Sequence, residues 1–252
     1  MISPLELENY LDGLLDAHSY KDASYNGIQV QGIRQEIRRL ATGVTASSAL
    51  LAAAGKADVD AVLTHHGLFW QGQDPRIRGG FASRIRHLVK NDMTLLAYHL
   101  PIDGHHELGN NSVLAKELSL EDTCPWGDYH GATIGVLGSC PKVEIGNLVR
   151  QLSDTVGREV LHLPGGPEKV ERVAIVSGGA AGMALAAARD GAEVFITGEP
   201  SEPSMHVAAE EGIHILAAGH HHTETFGVQA VGDHLSKELG IDVLHIDLPN
   251  PV

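Results

Sequence analysis

The sequence predicts an α/β protein made of two similar lobes that arose by internal duplication. Residues 41–64 align without a gap against residues 174–197, and both read as strand, small-residue turn, Ala-rich helix and strand. Open α/β sheets bind their ligands beyond the carboxyl ends of the strands. In both repeats, residues of metal-binding types come directly after the last strand. The residues that come directly after the two repeats are His65, His66, Gly67, Gly198 and Glu199.

A second pair of similar segments carries further candidate metal ligands. In ILAAGHHHTE an apolar run leads to His220, and Glu224 follows four residues later. In LLAYHLPID a similar run leads to His99, with Asp103 four residues later. On one helical turn or in a tight loop, this spacing directs both side chains at one point. Imidazole with carboxylate is a usual ligand mixture for Zn, Fe or Mn, although a solvated histidine-rich loop has a similar composition.

The start of the chain predicts a capped helix followed by a turn. Ser3 can cap the helix, Pro4 suits its first position, and Glu6 completes a capping box. The pair Asn26-Gly27 is typical of a tight turn before a short strand, and we interpret it as a hairpin.

The remaining pattern places the candidate ligands on strand ends and loops. Adjacent strand residues point to opposite faces, so His65 and His66 share a site only if the strand has ended or if they serve different metals. Pro101 disfavours an ordinary helix, which predicts a loop from His99 to Asp103. The expected elements are strand 38–44, helix 45–56, strand 59–64, helix 81–90, strand 94–98, helix 112–118, a strand then a helix within 136–156, strand 173–177 and strand 243–247.

Three other features indicate function only weakly. The loop 67–80 holds Trp70 with two arginines, which suits a planar or anionic substrate but more often means packing and solvated charge. The turn GGAAG after strand 173–177 exposes backbone N–H groups that can hold an anion, yet it lacks the acidic residue of a dinucleotide-binding fingerprint. His105 and His106 are expected beside the site or exposed, and not as ligands.

Composition excludes several classes of protein. The 252 residues carry a formal net charge of −14, which argues against a nucleic-acid partner because phosphate backbones require concentrated Lys and Arg. The two cysteines have no CxxC spacing, so neither a zinc ribbon nor a disulfide framework is expected. No signal peptide or long apolar run is visible, and we expect a cytoplasmic protein without a membrane partner. The 16 histidines are the unusual feature.

Five motifs in order along the chain resemble the Nif-three-like dinuclear-metal family. They are NGIQVQG, LTHHGLFW, YHLPIDGHHELGNN, ITGE and GHHHTE. Members of this family carry the label GTP cyclohydrolase 1 type 2 homologue, and the chain is most similar to its short bacterial YbgI-type branch. Gly67 stands where many members have proline, and His222 adds a histidine to the usual motif. The resemblance implies two intertwined α/β lobes, here 1–125 and 126–252, with a metal pair in the cleft between them.

The resemblance also implies a ligand set and an assembly. It implies two divalent metal ions per subunit, which the donor types suggest are Zn, Fe or Mn, and subunits that associate with themselves in a hexameric ring. His99 corresponds to a histidine beside the family's metal site, as an additional ligand or a neighbour of the ligands. The implied ligands are His65, His66, Asp103, His220 and Glu224.

A metal-dependent hydrolase acting on a nucleotide or on a small cyclic or ester substrate is the leading functional interpretation. Paired metal ions activate water and stabilise a developing oxyanion, which suits hydrolysis of several bond types. The chain has no GxSxG motif and no cysteine in a nucleophile context. Two non-enzymatic alternatives remain open: a metal carrier or insertase, and a ring scaffold that its metals stabilise.

Overall fold

The computed structural model describes residues 2–252, which form two compact units. The first unit comprises the residues up to Ile102 together with Gly227–Pro249, so it takes in stretches from both ends of the chain. The second unit comprises Asp103–Phe226 and Asn250–Val252. Among the described residues, no helix has the length and apolar character needed to cross a bilayer.

The first part of the chain alternates strands and helices. A 3-10 helix, Ala17–Ser19, follows the first α-helix. The elements in chain order are α1 (Pro4–Leu14), β1 (Gly27–Val30), β2 (Arg39–Thr45), α2 (Ser48–Lys56), β3 (Ala61–His66), α3 (Gly79–Asn91), β4 (Thr94–Ala97) and α4 (Leu100–Gly104).

The rest of the chain adds a β-hairpin and a second alternating series. A short 3-10 helix, Ala181–Met183, comes before α7. The elements are α5 (Asn110–Glu117), β5 (Glu121–Tyr129), β6 (Ala132–Glu144), α6 (Ile145–Val156), β7 (Leu161–Leu163), β8 (Lys169–Val176), α7 (Ala184–Arg189), β9 (Val194–Thr197), α8 (Ser204–Glu211), β10 (His214–Ala217), α9 (His220–Thr223), α10 (Thr225–Leu239) and β11 (Asp242–His245).

The two sheets contain the same arrangement of strands, which confirms the predicted α/β class and supports the duplication. The first sheet has the order β1-β4-β3-β2-β11 and the second has β5-β6-β8-β9-β10-β7. Each contains three neighbouring parallel strands with an antiparallel strand beside the last of them, β1 beside β4 and β7 beside β10. Thr64 at the end of the first repeat pairs with Ala97, and Thr197 at the end of the second pairs with Ala217.

Apolar helix faces cover each sheet and hold its strand ends in place. β4, β9 and β10 are buried along their whole length, as expected of parallel strands covered on both faces. Burying one Leu or Val side chain contributes about 1.5–3 kcal/mol. In the first unit α2 and α3 supply Leu50, Leu51 and Leu88 to a core with Val62 and Leu95. In the second unit the corresponding core includes Leu114, Leu148, Leu152, Val173 and Ile196.

Several local predictions are confirmed and two are wrong. The Ser3 side chain accepts from Glu6 N, and the Glu6 carboxylate accepts from Ser3 N, which is the predicted capping box. The expected hairpin at Asn26 does not form, because β1 pairs with the distant strand β4. The segment after His99 is the short helix α4 and not a loop, because Pro101 lies in the first turn, where its missing N–H removes no hydrogen bond.

Candidate metal centre

Three histidine rings of the first unit form a compact group of imidazoles. The rings of His65 and His66 have centroids 4.6 Å apart, and those of His65 and His99 are 4.9 Å apart. Each ring offers a nitrogen within 4.8 Å of the nitrogens that the other two offer. His65 is fully buried, whereas His66 and His99 are partly exposed. This group could therefore bind a metal ion.

Both neighbouring histidines belong to β3, so the strand has not ended before them, and the alternative that they serve different metals stays open. His66 is the last residue of β3 and pairs with Thr45 at the end of β2. Its Nδ1 lies 3.1 Å from Thr45 Oγ1, which orients the ring and directs Nε2 away from that hydroxyl. Position at the very end of the strand is thus enough to bring both rings to the group.

His99 is held by a buried carboxylate on the long segment before β1. Its Nδ1 donates to Asp22 Oδ1 at 2.8 Å, and the Asp22 side chain is 2% exposed. The other carboxylate oxygen accepts from Leu100 N at 2.9 Å and from Asn26 Nδ2 at 3.2 Å. Burial opposes ionisation of Asp22, but the hydrogen bonds from His99 and from the backbone keep its pKa below the ordinary value. Asp22 is therefore an anion that fixes the His99 tautomer, as carboxylates do beside metal-bound histidines.

The residues that follow β3 pack closely around the three histidines. The Trp70 indole meets the His99 ring edge-on at 5.0 Å and lies 6.0 Å from the His66 ring. Gln29 Oε1 accepts from the backbone N–H groups of Leu68 and Phe69, which fastens the loop to β1. A side chain at Gly67 would collide with the Gln29 amide, which accounts for glycine at this position.

In the second unit, a carboxylate lies on each side of the His220 ring. His220 Nε2 lies 3.0 Å from Glu224 Oε1, and Nδ1 is hydrogen-bonded to Glu199 Oε1. The Glu224 side chain is only 4% exposed. The hydrogen bond with Glu224 raises the pKa of His220 to about 9, with further contributions from the Glu224 charge and from Glu199, although burial acts in the opposite direction. At neutral pH this histidine is therefore protonated while no metal is bound.

Gly178, the second residue after β8, connects the loops that present His220 and Glu224. Its N–H donates to Thr223 Oγ1 at 3.1 Å, and its carbonyl accepts from the N–H groups of Gly198 and Glu199 at 2.9 and 3.1 Å. A Cβ here would collide with Glu224 Oε1 and lie 3.1 Å from His220 Nε2, and the backbone φ is +64°. The GGAAG turn thus gives the Gly178 N–H to Thr223 and supports the side chains of the site.

Asp103 is a buried carboxylate oriented by amide and hydroxyl donors. Its Oδ1 accepts from Asn110 Nδ2 and from Ser177 Oγ, both at 2.9 Å. Asn111 secures the same region, because its Oδ1 accepts from Ser177 N at 2.8 Å and its Nδ2 donates to Ile134 O at 2.6 Å. Ser177 precedes Gly178 in the chain, so Asp103 and the pair His220–Glu224 are anchored on consecutive residues of one strand end.

The other histidines and arginines singled out in the sequence have local roles. His105 is buried and its Nδ1 accepts from the N–H groups of Glu107 and Leu108. The His106 side chain is 74% exposed. The two arginines of the loop 67–80 both pair with Asp74 and are largely solvated.

Two orienting carboxylates, Asp22 and Glu199, are absent from the predicted set of site residues. Glu199 could have been identified from the sequence, because the ungapped repeat alignment places it opposite His66. Asp22 could not, since it lies 77 residues before His99 in a segment without a motif of its own. The neighbouring Asn26, interpreted as a turn residue, instead accepts from His99 N at 2.9 Å.

Comparisons with known proteins identify a family and relatives that match nearly the whole chain. Residues 4–251 match the family Duf34/NIF3 (NGG1p interacting factor 3). A Pseudomonas aeruginosa relative called GTP cyclohydrolase 1 type 2 homolog is 45% identical over 241 residues, covering 95% of each chain. An Escherichia coli relative with the same name is 41% identical over 253 residues, covering 98% of each chain.

Solved structures show the same fold. A structure described as protein ybgI, of unknown function, superposes with a TM-score of 0.93 at 40% identity, covering 100% of both chains. A Thermus thermophilus protein superposes with a TM-score of 0.92 at 36% identity, again covering 100% of both chains. Since the family match spans nearly the whole sequence, the chain belongs to the Duf34/NIF3 family.

Proposed function

We propose that the protein binds two divalent metal ions and uses them to hydrolyse a nucleotide or a small cyclic or ester substrate. The observation that carries the proposal is the group formed by His65, His66 and His99, whose donor nitrogens all lie within 4.8 Å of one another. An imidazole group held in this way by a buried carboxylate is typical of a metal site. The name of these relatives, GTP cyclohydrolase 1 type 2 homolog, agrees with a hydrolytic reaction.

The number and type of donors fit two metal ions. The first unit offers three imidazoles, and the second offers the imidazole of His220 with the carboxylates of Asp103 and Glu224. Six side chains exceed what one tetrahedral ion needs, and a mixture of nitrogen and oxygen donors suits Zn, Fe or Mn. In the proposal the ligands are His65, His66, Asp103, His220 and Glu224, with His99 as an additional ligand or a neighbour of the ligands.

The chain's own residues would prepare this site in two ways. Asp22 and Glu199 each hold the Nδ1 of a histidine, which leaves Nε2 of His99 and of His220 as the nitrogen directed at a metal. Asn110 and Ser177 hold one oxygen of Asp103, so its orientation is fixed before any ligand arrives. A bound metal pair would supply Lewis-acid activation of water and of the scissile bond.

Metal analysis tests the first half of the proposal. Protein purified after loading with Zn, Fe(II) or Mn(II) should hold two ions per chain by plasma mass spectrometry. His65→Ala and Asp103→Ala should each lower that number, and His106→Ala, at an exposed histidine, is the matched control and should not. Unchanged metal content in His65→Ala and Asp103→Ala would remove the basis for this ligand set.

Turnover tests the second half. The metal-loaded protein should convert GTP, or another nucleotide or small cyclic ester from a panel, with products separated by chromatography. Activity should be lost in His65→Ala and retained in His106→Ala. Two bound ions without turnover of any panel member, together with transfer of an ion to a metal-free acceptor protein, would favour the carrier alternative instead.

A further inference from the structure

An open pocket between two helices of the first unit has a cationic lining and shares no residue with the histidine group. Its volume is about 410 Å³, within the range of small-molecule sites, and it lies between α2 and α3. Its charged lining residues are Lys56 from α2 and Arg86 and Lys90 from α3. His87, Ser83 and Asn91 add groups that donate hydrogen bonds, and small residues of α2 complete the wall. No carboxylate lines this cavity, which we call the α2–α3 pocket.

The positive charge of the α2–α3 pocket is not compensated nearby. Among the described residues, Lys56, Arg86 and Lys90 form no ion pair. The carboxylates closest in sequence, Asp58 and Asp92, both pair with Arg34. Three uncompensated cations around one cavity are unexpected in a chain with a net charge of −14. Like charges repel, and a bound anion would relieve the repulsion among these side chains.

The dipoles of the two helices do not cancel this charge. The pocket lies toward the C-terminal ends of α2 and α3, where each helix carries roughly half a negative charge that weakens within the last turn. Three full positive charges exceed that contribution. A hydrogen bond holds one side of the pocket, because Asn91 Nδ2 donates to His87 O at 2.8 Å, and a Cβ at Gly55 would collide with this amide.

We propose that the α2–α3 pocket binds a small molecule that carries two or more phosphate groups. Arginine and lysine with hydroxyl and amide donors are the groups that recognise phosphate oxygens, and a ligand with several such oxygens uses all three cations. The small volume of the pocket and the net negative charge of the chain favour a small anion over a nucleic-acid backbone. The site is separate from the histidine group, so this proposal does not depend on the proposed hydrolysis.

Calorimetric titration with inorganic pyrophosphate tests the proposal on the full-length, metal-loaded protein. Pyrophosphate also binds metal ions, so the informative comparison is between variants that have equal metal content. Arg86→Gln should weaken one class of binding sites roughly tenfold, the size of a lost hydrogen bond to a charged group. Lys142→Gln, at an exposed lysine of β6 outside the pocket, removes the same charge and should leave the affinity unchanged.

A second variant keeps the test informative if Arg86→Gln does not fold. Ala52→Glu keeps all three cations and adds a carboxylate to the pocket wall, on a helix that tolerates glutamate. It should weaken pyrophosphate binding at least as much as Arg86→Gln while thermal unfolding stays within a few degrees of the parent. Wild-type protein that binds no pyrophosphate at millimolar concentration, or equal binding by wild type, Arg86→Gln and Ala52→Glu, would overturn the proposal.

Discussion

Asp22 Oδ1 accepts a hydrogen bond from His99 Nδ1 at 2.8 Å, although 77 residues separate them in the sequence. The same oxygen accepts from Ser24 N at 2.9 Å, and the second oxygen holds Leu100 N and the Asn26 amide. This carboxylate therefore fixes the imidazole of His99 and the start of α4 together.

Asp22→Asn should weaken metal binding on the order of 10–100-fold, the usual effect of removing a partner of a metal-binding histidine. The amide can still reach His99, but it carries no charge and no longer selects the tautomer that presents Nε2. Titration against a chromogenic chelator measures the affinity, and circular dichroism checks the fold. Asp154→Asn, at an exposed aspartate of α6, is the matched control. Equal affinities for the two variants would show that Asp22 has no role at the metal.

Metal uptake should release a proton from His220, because the pKa of this residue is about 9 in the metal-free protein. A raised pKa stabilises the folded protein below the ordinary value of 6.5, and this contribution disappears as the pH rises through about 9. A histidine that binds a metal must be neutral, so the apparent metal affinity should increase with pH up to about 9. Calorimetry at pH 7 in buffers with different ionisation enthalpies counts the released protons.

The variant Glu199→Gln tests whether the released proton comes from His220. Removing one of the two carboxylates beside His220 should lower the pKa of its imidazole, which histidine ring signals in an NMR titration of metal-free protein report. Fewer protons should then be released at pH 7. The same proton count in wild type and in Glu199→Gln would mean that the proton comes from another group.

The repeat alignment predicted the strand ends correctly because parallel strands within each lobe obey simple local rules. Apolar runs ending in polar residues mark β3, β4, β9 and β10, and the predicted repeat boundaries at Thr64 and Thr197 fall on equivalent sheet positions. The histidine motif, however, comes one residue later in the second repeat. Ala97 and Ala217 are equivalent in register, while His99 and His220 are 2 and 3 residues beyond them. Gly219, with a φ of +93°, accommodates the extra residue.

The hydrogen-bond partners of the candidate ligands were not predictable from local patterns. The contacts of Asp22, Asn26 and Ser177 join segments that are tens of residues apart, and hydrophobic periodicity carries no information about such pairs. The loop predicted from Pro101 was wrong for a different reason. Its effect depends on its position within a helix, and the sequence does not show where a helix of five residues begins.

We expect a closed ring of six subunits, as the family resemblance implies. Multi-angle light scattering at micromolar protein concentration should give six times the chain mass of 26.8 kDa. The same measurement after removal of the metals with a chelator tests whether the ions also stabilise the ring. A stable monomer in the presence of metal would contradict the expectation.

Glu224→Gln should lower metal content far more than His222→Ala. Glu224 is a buried anion next to His220, and the amide keeps its shape while losing the charge and one strong oxygen donor. His222 lies two residues after His220, so on a helical turn it points away from the His220–Glu224 side. Plasma mass spectrometry on both variants measures the difference, with circular dichroism as the check on folding. Full metal content in Glu224→Gln with depletion in His222→Ala would mean that the register of this motif is different.

Gly178→Ala should disturb the candidate site, whereas Gly179→Ala should not. At Gly178 the new methyl would collide with Glu224 Oε1, and the backbone φ of +64° costs any residue with a Cβ about 1–2 kcal/mol. At Gly179 the nearest atom, His220 Cε1, would be 3.7 Å from the methyl, which is ordinary van der Waals contact, and the backbone is not in the left-handed region. The two variants add the same group to adjacent residues, so general effects of the substitution cancel. Gly178→Ala should therefore show a lower melting temperature and reduced metal content, while Gly179→Ala should match wild type in both measurements. Equal metal content in the two variants would show that the close approach of Gly178 to Glu224 does not position the carboxylate.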